Sequence, residues 1–210
     1  MIDLYTWTTP NGRKISIMLE ETGLPYKVIP INLSKSQQLT PEFTALNPNQ
    51  KIPVIVDHDA AGGAFTIIES GAILIHLGEK TGQFLPRDGH RRSETIQWLM
   101  FQMGNIGPML GQAGYFANTA PEKIPFAIQR YVNESLRLVR VLNSRLTGRE
   151  FLAGDYSIAD MATYPWIVAA WPVFKNMLPD DAGAQGNVQR WLDTVAARPA
   201  VQRGMQVPQV

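Results

Sequence analysis

The architecture of the chain can be read outward from residues 47–72, NPNQKIPVIVDHDAAGGAFTIIESGA. Two short apolar runs, 52–56 and 65–68, flank a turn segment that contains two aspartates and two adjacent glycines. Apolar runs separated in this way are typical of antiparallel strands, so the sequence predicts a β-hairpin. An apolar helical pattern over 71–79 follows the second strand directly.

Two dipeptides in this stretch exceed what a plain hairpin requires. Ile52-Pro53 stands at the head of the first strand, where proline cannot donate a ladder hydrogen bond, and Glu69-Ser70 stands where the second strand meets the helix. A helix N-terminus carries unpaired N–H groups and a partial positive charge, so this corner could hold a ligand carboxylate. Each dipeptide also has an ordinary interpretation, because most X-Pro bonds are trans and serine at a helix start is commonly a cap.

The residues before the hairpin predict a strand, a helix and a second strand. Residues 2–6 alternate in polarity, Asn11 is expected to open a helix, and Gly23 is expected to end it. Residues 26–33 alternate again, and Pro30 within this run marks an edge strand. With the hairpin and its helix, the predicted order is βαβ-ββα, which is the thioredoxin-like order.

A polar, turn-rich segment separates this part from the rest of the chain. We predict a thioredoxin-like domain over residues 1–82, a linker over 83–90 and a helical domain over 91–210. Beyond the linker no strand pattern occurs, and apolar residues fall on one face of a long helix between 128 and 146. The predicted fold class is therefore an α/β domain followed by an all-α helical bundle.

The run Ser157-Ile158-Ala159-Asp160 has the outline of a capping box at the start of a helix. We expect the Ser157 hydroxyl to accept from the amide of the third helical residue, and the Asp160 carboxylate to accept from the Ser157 amide. This role is structural.

Composition restricts the classes of function. The net charge of +1 over 210 residues does not favour nucleic acid as a partner, and the absence of cysteine excludes a disulfide framework, a thiolate metal site and a cysteine nucleophile. Any thiol chemistry must therefore use an imported thiol. The three histidines have no metal-ligand partners nearby in sequence, so no metal site is predicted.

Charges in the first twenty residues interrupt any signal-peptide apolar region, and residues 95–121 hold too much Gln, Asn and Gly for a membrane span. We expect a cytoplasmic protein that does not enter the membrane.

The order strand, Ile52-Pro53, strand, Glu69-Ser70, helix resembles the glutathione-binding half of the soluble glutathione transferases. The Ser157 to Asp160 run is similar to a folding signature of their C-terminal domains. The chain resembles above all the Nu class of bacteria and fungi, through the segments TPNG (9–12), QLTPEF (38–43), NPNQKIP (47–53) and GPMLGQ (107–112).

The resemblance implies a glutathione site to which eight residues contribute. It implies Thr9 and Asn11 as the catalytic contacts to the sulfur, Gln38 and Lys51 at the glycyl end, Ile52 through its backbone beside a cis Pro53, Glu69 and Ser70 at the γ-glutamyl end, and Arg130 reaching across a dimer interface. Glutathione is the implied cosubstrate, and no metal is implied.

Thr9 and Asn11 also make chemical sense as thiol-activating residues. A hydroxyl and an amide at the start of the first helix donate hydrogen bonds. Together with the helix dipole they would lower the pKa of the glutathione thiol from about 8.5 toward neutrality. This segment lacks the tyrosine or serine that activates the thiol in other transferase classes, unless Tyr5 takes that role. Without the resemblance, TPNG would be interpreted as turn and cap chemistry alone.

The resemblance implies an enzyme that reduces a small disulfide with two glutathione molecules and never becomes covalent itself. Conjugation of an electrophile needs only one activated thiolate and remains an alternative, as does a non-catalytic binding or regulatory protein with the same fold. A homodimer is expected, because residues 95–121 and the following helix carry more apolar surface than a small domain can bury. The ordinary interpretation of Arg130 is an i,i+4 pair with Glu134.

Overall fold

A computed structural model describes residues 1–174 and 186–210 of the protein. The first part of the chain folds around a four-stranded sheet. Its elements are β1 (Ile2–Thr6), α1 (Pro10–Thr22), β2 (Tyr26–Pro30), two short 3-10 turns (Leu33–Lys35 and Gln37–Leu39), α2 (Pro41–Leu46), β3 (Val54–Asp57), β4 (Phe65–Ile68) and α3 (Ser70–Thr81). The strand order is β2-β1-β3-β4, with β1 parallel to β2 and antiparallel to β3, and with β3 antiparallel to β4. The predicted thioredoxin-like order is confirmed.

Local chemistry explains where these elements begin and end. Thr9 caps α1 through its side chain, and Pro10 occupies the first helical position, so the helix begins one residue before the predicted Asn11. Gly23 ends α1 in the left-handed region at φ 65°, as predicted. The hairpin strand β3 begins at Val54 rather than at Ile52. Pro53, which has no N–H to donate, lies immediately before it.

The edge strand β2 is shorter than predicted. It ends at Pro30, after which the Ile31 N–H still donates to the Thr6 carbonyl at 2.8 Å. Asn32 then caps a 3-10 turn by accepting from the Lys35 N–H at 3.2 Å. Asparagine side chains favour turns over strands in this way, so the alternation seen up to residue 33 does not continue as sheet.

The chain forms two compact units, and the first contains residues from both of its ends, Met1–Arg87 and Ala197–Val210. Helix α9 (Pro199–Gly204) packs on α1, where the Ser16 hydroxyl donates to the Gly204 carbonyl at 2.6 Å. A Cβ at Gly204 would lie 2.6 Å from the Ile17 Cα, so only glycine permits this approach. The sequence-based boundaries placed residues 197–210 with the helical domain instead.

The second unit, Asp88–Ala196, is helical as predicted. Its helices are α4 (Gly89–Phe101), α5 (Gly107–Gly114), α6 (Pro125–Arg145), α7 (Ile158–Phe174) and α8 (Gly186–Ala196), with π-helical turns at Gln102–Ile106 and Tyr115–Thr119. In the described ranges it has isolated β-bridges within residues 151–155 and no named strand. Among the helices that the structure describes, none has the length and apolar character needed to cross a membrane.

The predicted capping box is present at the start of α7, with one difference. The Ser157 N–H donates to Asp160 Oδ2 at 3.1 Å, but the Ser157 hydroxyl accepts from Ala159 at 3.3 Å, which is the second helical residue rather than the third. The Asp160 carboxylate is buried and also accepts from the Leu152 N–H at 3.0 Å and from Trp191 Nε1 at 2.9 Å. The cap therefore ties α7 to α8 and to the loop that precedes α7.

Candidate functional site

Four strand ends of the first unit meet at one edge of the sheet. Thr6 pairs with Pro30, Tyr5 pairs with Val54, and Val54 pairs with Ile68, so the chain leaves β1, β2 and β4 and enters β3 at the same end. Seven predicted site residues lie in these connections: Thr9 and Asn11 after β1, Gln38 after β2, Lys51 and Ile52 before β3, and Glu69 and Ser70 at the junction of β4 and α3.

The start of α1 lies at this end of the sheet, directly after β1. Thr9 Oγ1 accepts from the Gly12 N–H at 3.2 Å, so the threonine hydroxyl keeps its own proton for donation to another acceptor. A Cβ at Gly12 would lie 2.3 Å from Thr6 Oγ1 and 2.5 Å from the Trp7 carbonyl oxygen. Glycine is therefore required for the helix to begin this close to the end of β1. Asn11 is the second residue of the helix, two positions after the capping threonine.

Tyr5, the alternative thiol activator, has its ring against apolar side chains. Its ring packs 6.4 Å from the Phe43 ring, beside the apolar cluster that contains Ile52 and Val54. Burial, helped by the negative charge of Asp3, raises the pKa of the Tyr5 phenol above its ordinary value. A raised pKa keeps this phenol neutral, so Tyr5 could act on a thiolate as a hydrogen-bond donor but not as a base.

The loop before β3 presents Lys51 and the backbone of Ile52. The buried Asn47 side chain shapes this loop, because it donates to the Lys51 carbonyl at 2.7 Å and accepts from the Asn49 N–H at 2.9 Å. The Ile52 side chain is buried, while Lys51 is exposed. The Ile52-Pro53 peptide bond is cis, as the resemblance implied.

Gln38 lies in the second 3-10 turn after β2. Its side-chain oxygen is buried and has no hydrogen-bond partner within the residues that the structure describes. A buried acceptor without a donor is uncommon in folded proteins, and the oxygen is therefore suited to accept from an N–H group of a ligand.

Glu69 and Ser70 lie at the N-terminus of α3. Glu69 has the unusual φ of 68° for a residue other than glycine, and its exposed side chain makes no capping bond to its own helix. Ser70 is the first helical residue and is buried. The carboxylate is thus available for a cationic group at the surface, while the hydroxyl and the helix terminus favour an anionic group beneath it.

Sequence reasoning missed Lys14, which lies behind this corner. Lys14 is only 1% exposed, and its ammonium nitrogen donates to Ser70 Oγ at 3.2 Å. Burial lowers the pKa of the Lys14 amine to about 7, although the charge of Glu69 acts in the opposite direction. The available signal was position, because Lys14 precedes the buried Met18 by four residues on the inward face of α1.

Arg130 belongs to the second unit, near the start of α6. It lines a cavity of about 600 Å³ together with residues that include Met109, Phe126, Glu134 and Arg137. Glu134 does not form the i,i+4 ion pair with Arg130 that the ordinary interpretation required, because it accepts two hydrogen bonds from the Arg137 guanidinium, at 2.7 and 2.8 Å. Within residues 1–174 and 186–210, Arg130 makes no hydrogen bond or salt bridge, although its charge helps to lower the pKa of the Glu134 carboxyl.

Within residues 1–174 and 186–210, no cluster of three or more His, Cys, Asp or Glu side chains is arranged to hold a metal ion. His58 pairs with Asp3 at 3.0 Å, and His76 pairs with the buried Asp57 at 2.8 Å, so both imidazoles have structural partners.

Comparison with known proteins identifies the family. The glutathione S-transferase N-terminal domain matches residues 1–79. The disulfide-bond oxidoreductase YfcG of Escherichia coli (strain K12) is 47% identical over 203 residues, which cover 95% of this chain and 92% of the relative.

Two solved structures also align over 99% of this chain. A glutathione transferase from Burkholderia graminis with two glutathione molecules bound per subunit is 50% identical, with a TM-score of 0.90 over 88% of that chain. A glutathione transferase from Pseudomonas putida with one glutathione disulfide bound per subunit is 44% identical, with a TM-score of 0.91 over 91% of that chain. The sequence, the sheet topology and these alignments agree, and the chain belongs to the glutathione transferase family.

Proposed function

We propose that this protein reduces disulfides with two molecules of glutathione. The observation that carries the proposal is a thioredoxin-like site whose first helix begins with Thr9 and Asn11 in a chain that has no cysteine. Such a site cannot use a protein thiol, so the attacking sulfur must come from a bound substrate. Relatives named as disulfide-bond oxidoreductases, and family structures that hold two glutathione molecules or one glutathione disulfide, support the same reaction.

The reaction balances without a further oxidant or reductant. One glutathione thiolate attacks the substrate disulfide, which forms a mixed disulfide and releases one substrate thiolate. The second glutathione thiolate attacks the glutathione sulfur of the mixed disulfide, which gives glutathione disulfide and the second substrate thiolate. The two protons lost by the glutathione thiols are taken up by the two product thiolates.

Each predicted residue then has a role that its position supports. The Thr9 hydroxyl and Asn11 at the start of α1 donate to the thiolate, where the helix terminus adds positive potential. Gln38 and Lys51 bind the glycyl end, and the Ile52 backbone pairs with the cysteinyl part.

Glu69 and Ser70 complete the site at its other end. The exposed Glu69 carboxylate binds the γ-glutamyl ammonium, and Ser70 with the α3 terminus binds the γ-glutamyl carboxylate.

The direct test is turnover of hydroxyethyl disulfide by glutathione, with glutathione disulfide measured through a coupled reductase. The proposal predicts steady turnover that depends on glutathione concentration. A parallel assay with an aromatic chloride measures conjugation. Rapid conjugation without disulfide turnover would assign a conjugating transferase, and glutathione binding without either activity would assign a binding protein.

Glu69→Ala should weaken glutathione binding by tens of fold. A hydrogen bond to a charged group contributes about 1.5–3 kcal/mol, and the lost carboxylate is the proposed partner of the ligand ammonium. Calorimetric titration measures the change, and Glu79→Ala, at an exposed position later in α3, is the matched control. Equal affinity for Glu69→Ala and wild type would remove Glu69 from the site.

We also propose that the protein is a homodimer in which Arg130 serves the glutathione bound by the other subunit. The support is a cavity beside an arginine that has no ion-pair partner in the described residues, at a surface where Phe126 is 79% exposed. Met100, Tyr115 and Ile124 are also exposed apolar side chains of the same unit. Exposed apolar side chains in the same unit as an arginine without an ion-pair partner in the described residues favour an interface over a solvated helix face.

Mixed dimers test this arrangement. Arg130→Ala subunits and Glu69→Ala subunits should each have low activity, but their heterodimer should regain one intact site and about half of the wild-type turnover. Differently tagged subunits allow the heterodimer to be purified, and Arg140→Ala at an exposed position of α6 controls for loss of charge. Heterodimer turnover no better than the average of the two parents would show that Arg130 serves its own subunit or none.

The proposed location is the cytoplasm. The reaction consumes reduced glutathione, and the glutathione pool of the cytosol is kept strongly reducing.

A further inference from the structure

Lys14 is a buried amine that the proposed reaction does not yet use. It stands one turn into α1 with 1% of its surface exposed, and its ammonium nitrogen reaches Ser70 Oγ, at the start of α3, over 3.2 Å. Placing an ammonium group in a protein interior is costly, and an apolar residue of similar length would fill the same space without that cost. Packing alone therefore does not explain why a lysine occupies this position.

Charged and polar groups lie near Lys14 and on the elements that pack against its helix. At the start of α3 these are the Glu69 carboxylate and the Ser70 hydroxyl. Helix α9 also packs on α1, and its Arg203 pairs with Glu20, as Arg198 before it pairs with Glu21, both at 2.6 Å. Burial outweighs the attraction of Glu69 and lowers the pKa of the Lys14 amine to about 7.

The hydrogen bond to Ser70 determines what that hydroxyl can do. Because Ser70 Oγ accepts from Lys14, the Ser70 hydroxyl can act toward the ligand as a donor, and the ligand carboxylate at the α3 terminus is a suitable acceptor. Hydrogen bonds in a chain of this kind strengthen one another. A charged Lys14 also places a positive charge directly behind Ser70.

We propose that Lys14 is a positioning residue for the γ-glutamyl end of glutathione: it orients the Ser70 hydroxyl, and it takes up a proton when the ligand carboxylate binds in front of it. The inference rests on the proposed binding of glutathione at this corner. It makes binding depend on pH through a group that never touches the reacting sulfur.

S-methylglutathione is the probe, because its sulfur cannot ionise. At pH 7.5, above a pKa of about 7, a substantial share of the Lys14 amines is neutral in the ligand-free protein, so binding to the wild type should take up part of a proton. Calorimetric titrations in two buffers of different ionisation enthalpy measure this uptake. The affinity should fall as the pH rises above about 7, because protonating Lys14 then opposes binding.

Lys14→Met removes the amine and retains the length of the side chain. We expect S-methylglutathione to bind at least about tenfold more weakly, with no Lys14-dependent proton uptake and a flatter pH dependence. Lys27→Met, the same change at an exposed position of β2, is the matched control. S-methylcysteinylglycine, which lacks the γ-glutamyl group, should bind Lys14→Met and wild type equally. Circular dichroism and urea unfolding verify that the variant is folded.

The outcomes separate this inference from the proposed function. If the wild type does not bind S-methylglutathione, the glutathione site itself is wrong. If it binds with the same proton uptake as Lys14→Met, or if the variant loses affinity equally for both ligands, Lys14 has only a structural role and the inference is overturned.

Discussion

Thr9→Val is expected to lower disulfide turnover at neutral pH by about ten- to a hundredfold, the equivalent of one hydrogen bond to a charged group. Valine has nearly the shape of threonine but cannot donate to the sulfur, so the bound glutathione thiol should have a higher pKa. The glutathione affinity should change much less than kcat, because the lost donor matters chiefly to the charged form of the sulfur.

The higher thiol pKa expected in Thr9→Val should move the pH–rate profile of turnover to higher pH. That displacement distinguishes a lost sulfur contact from simple damage to the helix. Thr9 also caps α1 through the Gly12 N–H, so valine should reduce the free energy of unfolding by about 1 kcal/mol. Thr9→Ser keeps both the cap and the donor and should recover most of the turnover. Normal turnover in Thr9→Val together with an inactive Tyr5→Phe would instead make Tyr5 the activating group.

Asp160→Ala should lower the free energy of unfolding by about 3–5 kcal/mol, the largest effect on stability that we expect from a single substitution here. The buried carboxylate accepts from the Leu152 and Ser157 N–H groups and from Trp191 Nε1, and alanine leaves all three donors without an acceptor. Urea unfolding followed by circular dichroism measures the change.

An exposed aspartate provides the matched control for this stability effect. Asp155 pairs with Arg91 in the same unit, but both side chains are largely exposed, so Asp155→Ala should change the free energy of unfolding by less than about 1 kcal/mol. Equal stability of the Asp160→Ala and Asp155→Ala variants would show that the capping box does not hold α7, α8 and the preceding loop together.

Local patterns in the first part of the chain were sufficient to predict the order of its elements. Strand alternation, Gly23 at the end of α1 and Pro30 in an edge strand are each determined by neighbouring residues, and the structure confirms them. The exact ends of the elements were less predictable. The cap at Thr9 and the turn at Asn32 depend on side-chain hydrogen bonds that compete with helix and sheet.

Site residues were predictable where a motif lies at the end of a strand. A residue was missed where its role depends on being buried by another element. Glu69-Ser70 could be placed at a helix start because the strand pattern stops there. Lys14 follows a run of polar residues and is easily interpreted as an ordinary helix lysine. Its spacing from Met18 places it on the inward face of α1, but only the coordinates show that α3 covers it. Glu134 has arginines at both i−4 and i+3, and only the coordinates show that it pairs with Arg137.

The return of the last residues to the first unit bears on the order in which the protein is made. Helix α1, which opens the proposed glutathione site, packs against α9, and residues 88–196 of the other unit are translated between the two. Domains usually fold as they leave the ribosome, the N-terminal one first. Here the nascent chain must carry α1 without its α9 partner until translation has passed residue 204, so the helical unit emerges before the thioredoxin-like unit can be completed.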